Sequence, residues 1–346
     1  MRNIGEFSFE KTNRVFVIAE LSANHNGSIE TAIETIRAAK RAGADAIKFQ
    51  TYTADTITLK SNKDAFKIKG TIWDGKILHD LYAEAYTPWE WHAELFKIAQ
   101  EEGLISFSSP FDFSSVDFLE RLNVPAYKIA SFEITDIPLI KYVAEKGKPI
   151  IVSTGIAEKS DIELAIATIR ATGNNQIALL KCTSSYPAPI EEANLTMIPQ
   201  FAADFNVMTG LSDHTMGSLV PIMSVAFGAR IIEKHFILDR AIGGPDASFS
   251  MNEQEFTDMV KQIRLAEKAL GIAEYTLTEK QKVGKNFSRS LYISKDLKKG
   301  EIVTSEHIKS VRPGYSLHPK FLNDIIGKIS TKDFTLGDRI KKEDFH

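Results

Sequence analysis

Eight short runs of β-branched and apolar residues recur along the chain, each separated from the next by a longer stretch of different texture. They are "VFVIAE" (15–20), "DAIKFQ" (45–50), "LISFSS" (104–109), "AYKIA" (126–130), "PIIVS" (149–153), "IALLKC" (177–182), "NVMTGLS" (206–212) and "RIIEKHF" (230–236). The intervening segments carry a helical period. "SIETAIETIRAAKRAG" opens on Ser28 as a cap, and "TPWEWHAELFKIAQEEG" reads as capped by Thr87 with Pro88 at the first helical position. Eight strands joined mostly by helical crossovers predict an α/β fold, a (β/α)8 TIM barrel of roughly 250 or more residues. The rival, an open doubly wound sheet, wants a Gly-rich phosphate turn after its first strand, and "AELSANHNG" is not one.

In such a barrel the active site lies at the carboxyl ends of the strands. Taken in order, those ends are Glu20, Lys48, Ser109, Lys128, Ser153, Thr183 with Ser184, Ser212 with His214, and His235. Charged side chains in apolar runs are seldom buried without partners. Lys48 and Lys128 are either strand ends that reach solvent or cations that hold an anion. His214 and His235 are either satisfied core imidazoles or a pair on neighbouring strands that holds a divalent metal, with positions open for water and substrate. Asp213 would then orient a ligand histidine, or else cap the following turn. Two lysines and several hydroxyls at one mouth suit a small substrate carrying phosphate and carboxylate, while Glu20 suits proton transfer. Phosphoenolpyruvate plus an aldehyde would use all of them.

Composition removes other classes. The formal net charge of -3 leaves no basic excess to neutralise a nucleic-acid backbone. Cys182 is the single cysteine, so no intramolecular disulfide forms, as expected of a cytoplasmic protein. "MRNIGEFSFEKTNR" lacks the apolar core of a signal peptide, and no run of about 18 apolar residues occurs, so no membrane partner is expected.

The texture changes after the eighth run. Residues 254–272 read as a last amphipathic helix, 273–286 as a polar linker, and 287–346 as short strands with tight turns at "KKGE" and "TLGD". The expected organisation is therefore a barrel over 1–272, a linker over 273–286 and a small domain over 287–346. Within the small domain, "KKGEIVTSEHI" and "LGDRIKKEDF" look like two copies of one motif. A module of about sixty residues has little core of its own and is expected to dock on a larger surface.

Together "AELSANHNG", "AIKFQTY", "FSSPFD", "PAYKIASFE", "IVSTGIA", "KCTSSYPAP", "GLSDHTMG", "EKHF" and "GGPDASFS" resemble the sialic acid synthase family, in the same order and through essentially the whole chain. The C-terminal region resembles the antifreeze-like, or SAF, domain of that family, a small β-clip fold. The resemblance implies condensation of phosphoenolpyruvate with an N-acetylated amino sugar. It assigns Lys48, Ser109, Lys128, Ser131, Ser153 and Ser212 to phosphoenolpyruvate, and His214 and His235 to manganese or a similar divalent ion such as Mg2+ or Co2+. It places Glu20 at the reacting centre as the proton-transfer group and turns Glu133, Tyr186 and Asp246 towards the sugar. It further implies a domain-swapped homodimer in which Arg312 serves the partner's sugar pocket, with Phe287 packing on the sugar as well. Segment 52–86, with Trp73 and Tyr82, is long for a βα connection and is expected to form another wall. One departure is visible: Ser184 stands where members that make N-acetylneuraminate usually carry Asn, although its hydroxyl can still meet an anion.

Within the family, "YAEAYTPWEWH", "EKHFILDRAIGGPDASFS" and the short length are most similar to the branch that acts on a 2,4-diacetamido-2,4,6-trideoxy altrose. The alternative is a sugar of the N-acetylmannosamine type. Two further classes compete. A non-catalytic carbohydrate-binding barrel would lose the strand-end charges, which are all present. A synthase for a phosphorylated sugar needs a second basic cluster, and none is evident at a strand end.

Overall fold

Eight parallel strands close into the barrel that the alternating runs predict: β1 (Phe16–Glu20), β2 (Ala46–Thr51), β3 (Ile105–Pro110), β4 (Tyr127–Ile129), β5 (Ile150–Ser153), β6 (Ile177–Cys182), β7 (Met208–Asp213) and β8 (Ile231–His235), with β8 pairing back to β1. The computed structural model describes residues 1–346 and divides them into two units, Met1–Gly271 and Ile272–His346.

Strand side chains alternate between the two faces of the barrel wall. Phe16 and Ile18 of β1 point into an inner cluster with Ala46, Phe107, Ala126, Ile151, Ala178, Leu180 and Ile231, whereas Val17 and Ala19 pack in the layer under the helices. Two residues further along each strand, the same parity puts Glu20, Lys48, Ser109, Lys128, Ser153, Cys182, Ser212 and Glu233 inside. The apolar amino-terminal half of each strand thus fills the barrel, and the polar half lines its mouth. Gly210 of β7 is required by this packing: a Cβ there would lie 2.2 Å from the Ile231 carbonyl and 2.7 Å from Leu180 Cδ2.

An N-terminal hairpin, Asn3–Ile4 paired with Phe7–Ser8, closes the opposite end. Ile4 and Phe9 enter the inner cluster, the Phe7 ring lies 4.8 Å from that of Phe16, and Arg230 donates to the Phe9 and Thr12 carbonyls.

Helix Ile29–Arg41 starts as expected, with Ser28 Oγ accepting from the Thr31 amide. The second expected cap differs. That helix starts at Trp89, Pro88 is extended, and the Thr87 hydroxyl pairs with His25 Nε2 at 3.3 Å instead of capping. A residue before proline is held out of the helical region, and buried Thr87 finds its partner in the imidazole. The last barrel helix is Glu253–Leu270, with an Asn252–Glu255 capping box. No helix is long and apolar enough to cross a membrane.

The second unit holds an antiparallel pair, β9 (Ser290–Ile293) and β10 (Ile308–Val311), over a core of Leu291, Ile293, Leu297, Val303, Ile308, Ile325, Phe334, Ile340 and Phe345. The repeated motif has a repeated geometry. Gly300 and Gly337 have φ of 87° and 89°, and the acid after each, Glu301 or Asp338, accepts from the amide of Lys298 or Thr335 at 2.7 Å. The segment read as a linker contains a helix, Glu279–Gly284, because Thr278 and Gln281 form a capping box there.

Candidate active site

The inward charges at the barrel mouth form one network. Lys48 Nζ lies 2.6 Å from Glu20 Oε2 and donates to Ser109 Oγ at 3.3 Å. Lys128 Nζ donates to Glu233 Oε1 at 2.8 Å, and the same oxygen accepts from Ser212 Oγ at 3.2 Å. Lys48 and Lys128 are only 3% and 2% exposed, so neither reaches solvent. Burial pushes the Glu20 carboxyl up to about 7 against the pull of Lys48, and burial likewise raises Glu133 to about 7. Burial lowers Lys128. For Glu233 burial works upward, but Lys128 and Lys48 prevail and hold it below the usual carboxylate range.

The two histidines stand beside this network with ring centroids 5.4 Å apart. His214 Nδ1 donates to the Thr183 carbonyl at 2.9 Å; burial works downward on this ring, but Cys182 and that carbonyl prevail and hold it above the usual imidazole range, and only its neutral form presents a lone pair on Nε2. His235 Nδ1 is buried without a hydrogen-bond partner, and the closest Asp246 oxygen is 3.7 Å away. It is therefore not a satisfied core imidazole. Burial, then His214 and Lys48, keep His235 well below the usual imidazole range and hence neutral, the form that binds metal. The pair suits a divalent ion as two nitrogen ligands. No group of three or more His, Cys, Asp or Glu side chains is placed to hold one, so water and substrate would complete the shell. Asp213 does not orient either ring. It caps the turn, accepting from Thr215 N and Oγ1, and pairs with buried Lys234 on the outer side of the wall.

Aromatic rings cover the histidines. Tyr186 lies 4.3 Å from His214 and 5.2 Å from Phe249, which in turn lies 5.0 Å from His235. Trp73 comes from segment 52–86, sits 5.8 Å from Tyr186 and donates to the Pro245 carbonyl, so that segment does line the mouth. Gln50 Nε2 donates at 3.0 Å to both Glu20 and Ser22, and Ser22 donates to Asp246. This chain of hydrogen bonds ties the Glu20 carboxylate to the loop that carries Asp246.

Ser131, Gly155 and Ser184 converge on the other side. A Cβ on Gly155 would lie 2.1 Å from Ser184 Oγ and 2.7 Å from Ser131 Oγ, and the Gly155 amide donates to Ser131. Leaving aside Glu20 Oε2, which Lys48 meets at 2.6 Å, eight buried side-chain polar atoms have no hydrogen-bond partner, and five of them belong to Glu133, Ser153, Ser184, Glu233 and His235. Buried polar atoms are normally satisfied, so this concentration marks a place where a polar ligand belongs. Phe287 and Arg312 lie in the second unit, both exposed. Arg312 borders a cavity of about 300 Å³ with Tyr292, Lys309 and Leu336.

The sequence reading singled out neither Glu233, Gln50, Gly155 nor Phe249. For two of them a signal existed: Glu233 shares parity with His235, and Gln50 with Lys48. Gly155 and Phe249 act through contacts between loops that no local pattern announces.

The chain belongs to the NeuB family, whose model matches residues 35–275; a SAF domain matches residues 288–346. The chain is 50% identical over 342 residues to the pseudaminic acid synthase of Campylobacter jejuni, covering 99% of each chain. It is 47% identical over 317 residues to that of Helicobacter pylori, covering 91% of this chain and 93% of the relative. Among solved structures it resembles the N-acetylneuraminic acid synthetase of Leptospira borgpetersenii in complex with citrate, with a TM-score of 0.71 and 31% identity over 78% of this chain and 90% of that one.

Proposed function

We propose that the chain is a pseudaminic acid synthase, a C–C bond-forming transferase. It joins phosphoenolpyruvate to the open-chain form of 2,4-diacetamido-2,4,6-trideoxy-β-L-altropyranose and releases phosphate. The full-length similarity to two pseudaminic acid synthases supports the choice of sugar, since the N,N'-diacetyllegionaminic acid synthase of Legionella pneumophila is more distant at 36%. The observation that carries the chemistry is the mouth itself, where buried lysines meet hydroxyls and carboxyl oxygens that have no partner.

In this reading Lys48 and Lys128 hold the charges of phosphoenolpyruvate, with Ser109, Ser131, Ser153, Ser184 and Ser212 completing the contacts. Glu133, Tyr186 and Asp246 orient the sugar so that its aldehyde carbon faces C3 of phosphoenolpyruvate. A manganese or similar divalent ion held by His214 and His235 would supply polarisation of that aldehyde. C3 attacks the aldehyde carbon to form the new carbon–carbon bond, the aldehyde π pair moves to its oxygen, which takes up a proton to become a hydroxyl, and C2 becomes electrophilic. Glu20, ionised on the alkaline side of 7, takes a proton from the water that adds to C2. C–O cleavage then expels phosphate, whose charge the lysines stabilise, and leaves a nine-carbon 2-keto acid. The active form in this proposal is a homodimer in which Phe287 and Arg312 of one copy serve the sugar pocket of the other.

The test is phosphate release from phosphoenolpyruvate with either the altrose derivative or N-acetylmannosamine. Turnover with the altrose derivative is expected, and turnover with the mannosamine alone overturns the assignment.

A further inference from the structure

Glu233 is the one carboxylate within 4 Å of both mouth lysines, yet nothing in the proposed reaction uses it. It is 5% exposed and projects from β8 into the barrel, one inward position before His235. Its Oε1 is shared: Lys128 Nζ donates to it at 2.8 Å, Ser212 Oγ donates at 3.2 Å, and Lys48 Nζ stands 3.8 Å away. These three residues come from β4, β7 and β2, so a single oxygen sets how three separate strands present their polar groups. The groups packed around the network are Glu20, Lys48, Lys128, Glu133, Ser109 and Ser212.

We infer that Glu233 is a positioning residue for phosphoenolpyruvate: its Oε1 holds the ammonium groups of Lys48 and Lys128 and the Ser212 hydroxyl at the spacing that the anion requires. The inference rests on the reading of these lysines as the phosphoenolpyruvate site. Two physical expectations oppose each other here. By charge alone Glu233 repels an anion, so its neutralisation would tighten binding. By geometry it organises the cations, because a lysine is a flexible point charge that finds a fixed place only against a partner. The distances favour geometry. One carboxylate oxygen faces all three groups, and without it Lys128 would lose its one ion-pair partner while Lys48 kept Glu20.

The test is steady-state kinetics of Glu233→Gln, which keeps the shape and one oxygen but removes the charge. The KM for phosphoenolpyruvate is expected to rise about ten- to a hundredfold, the loss typical of a buried charged hydrogen bond, while the KM for the sugar stays within about twofold. An unchanged or lower KM for phosphoenolpyruvate, or an equal rise for both substrates, overturns the inference. A double-variant comparison keeps the question open should Glu233→Gln fold poorly. With Lys128→Met already in place, Glu233→Met removes the second member of a buried pair and should recover fold by thermal melt. In that double variant the KM for phosphoenolpyruvate is expected to exceed that of Lys128→Met by less than about tenfold, because the ammonium that Glu233 chiefly holds is already gone; a further rise of about tenfold or more overturns the inference. A wild-type enzyme that neither turns over nor binds phosphoenolpyruvate refutes the substrate reading itself, and that result is separate from either outcome for Glu233.

Discussion

His235 carries a bare ring nitrogen in a buried setting, and that state is costly unless a ligand relieves it. Chelation is therefore expected to abolish phosphate release while circular dichroism stays near that of the untreated protein. His214→Ala and His235→Ala should behave like the chelated enzyme and bind less manganese by elemental analysis. A chelated enzyme that runs at full rate contradicts the metal assignment. The neighbouring carboxyl makes a pH prediction. Burial raises Glu20 to about 7, so the group is protonated below that pH and ionised above it. As the proton acceptor it should make kcat/KM fall as pH drops through about 7. Glu20→Gln should run slowly without that limb, and a variant that keeps the same limb assigns the ionisation elsewhere.

Strands β7 and β8 show how an element uses its two faces. Inward residues Ser212, Glu233 and His235 line the barrel mouth, while outward Asp213 and Lys234 form a buried ion pair, with Lys234 also donating to the Thr215 carbonyl at 2.6 Å. The pair locks β7 to β8 directly behind the two histidines. Lys234→Met leaves Asp213 without its cation in a buried place, and a loss of about 3–5 kcal/mol in urea unfolding is expected. Replacing both by apolar residues should recover most of it. If the single variant is as stable as the parent, the pair contributes nothing to the strand register.

For the whole molecule, the proposed homodimer makes a complementation prediction. Chains carrying Arg312→Ala and chains carrying His214→Ala should each be inactive alone and recover activity when mixed and allowed to exchange subunits. A mixed dimer then contains one barrel with intact histidines served by an intact arginine. Verified mixed dimers that stay inactive would remove Arg312 from the partner's site.

Much of this protein is written in local pattern. The eight strands lie within two residues of the apolar runs at every boundary, because alternation with period 2 and helix signals are properties of neighbouring residues. The strand-end rule then brought Glu20, Lys48, Lys128, His214 and His235 into view before any contact was known. Contacts across the barrel decided the rest. Thr87 gave up a cap for His25, the hairpin at Ile4 became the floor of the barrel, and Asp213 turned outward to Lys234. Glu233 shows the division most clearly. Its parity with His235 is local and placed it inside, but its role depends on Lys48, Lys128 and Ser212, which lie 185, 105 and 21 residues away in the chain and meet it only because closure of the sheet sets their register. A short-range pattern carries the direction in which a side chain points, whereas the partner it meets is chosen when distant strands close around a common interior.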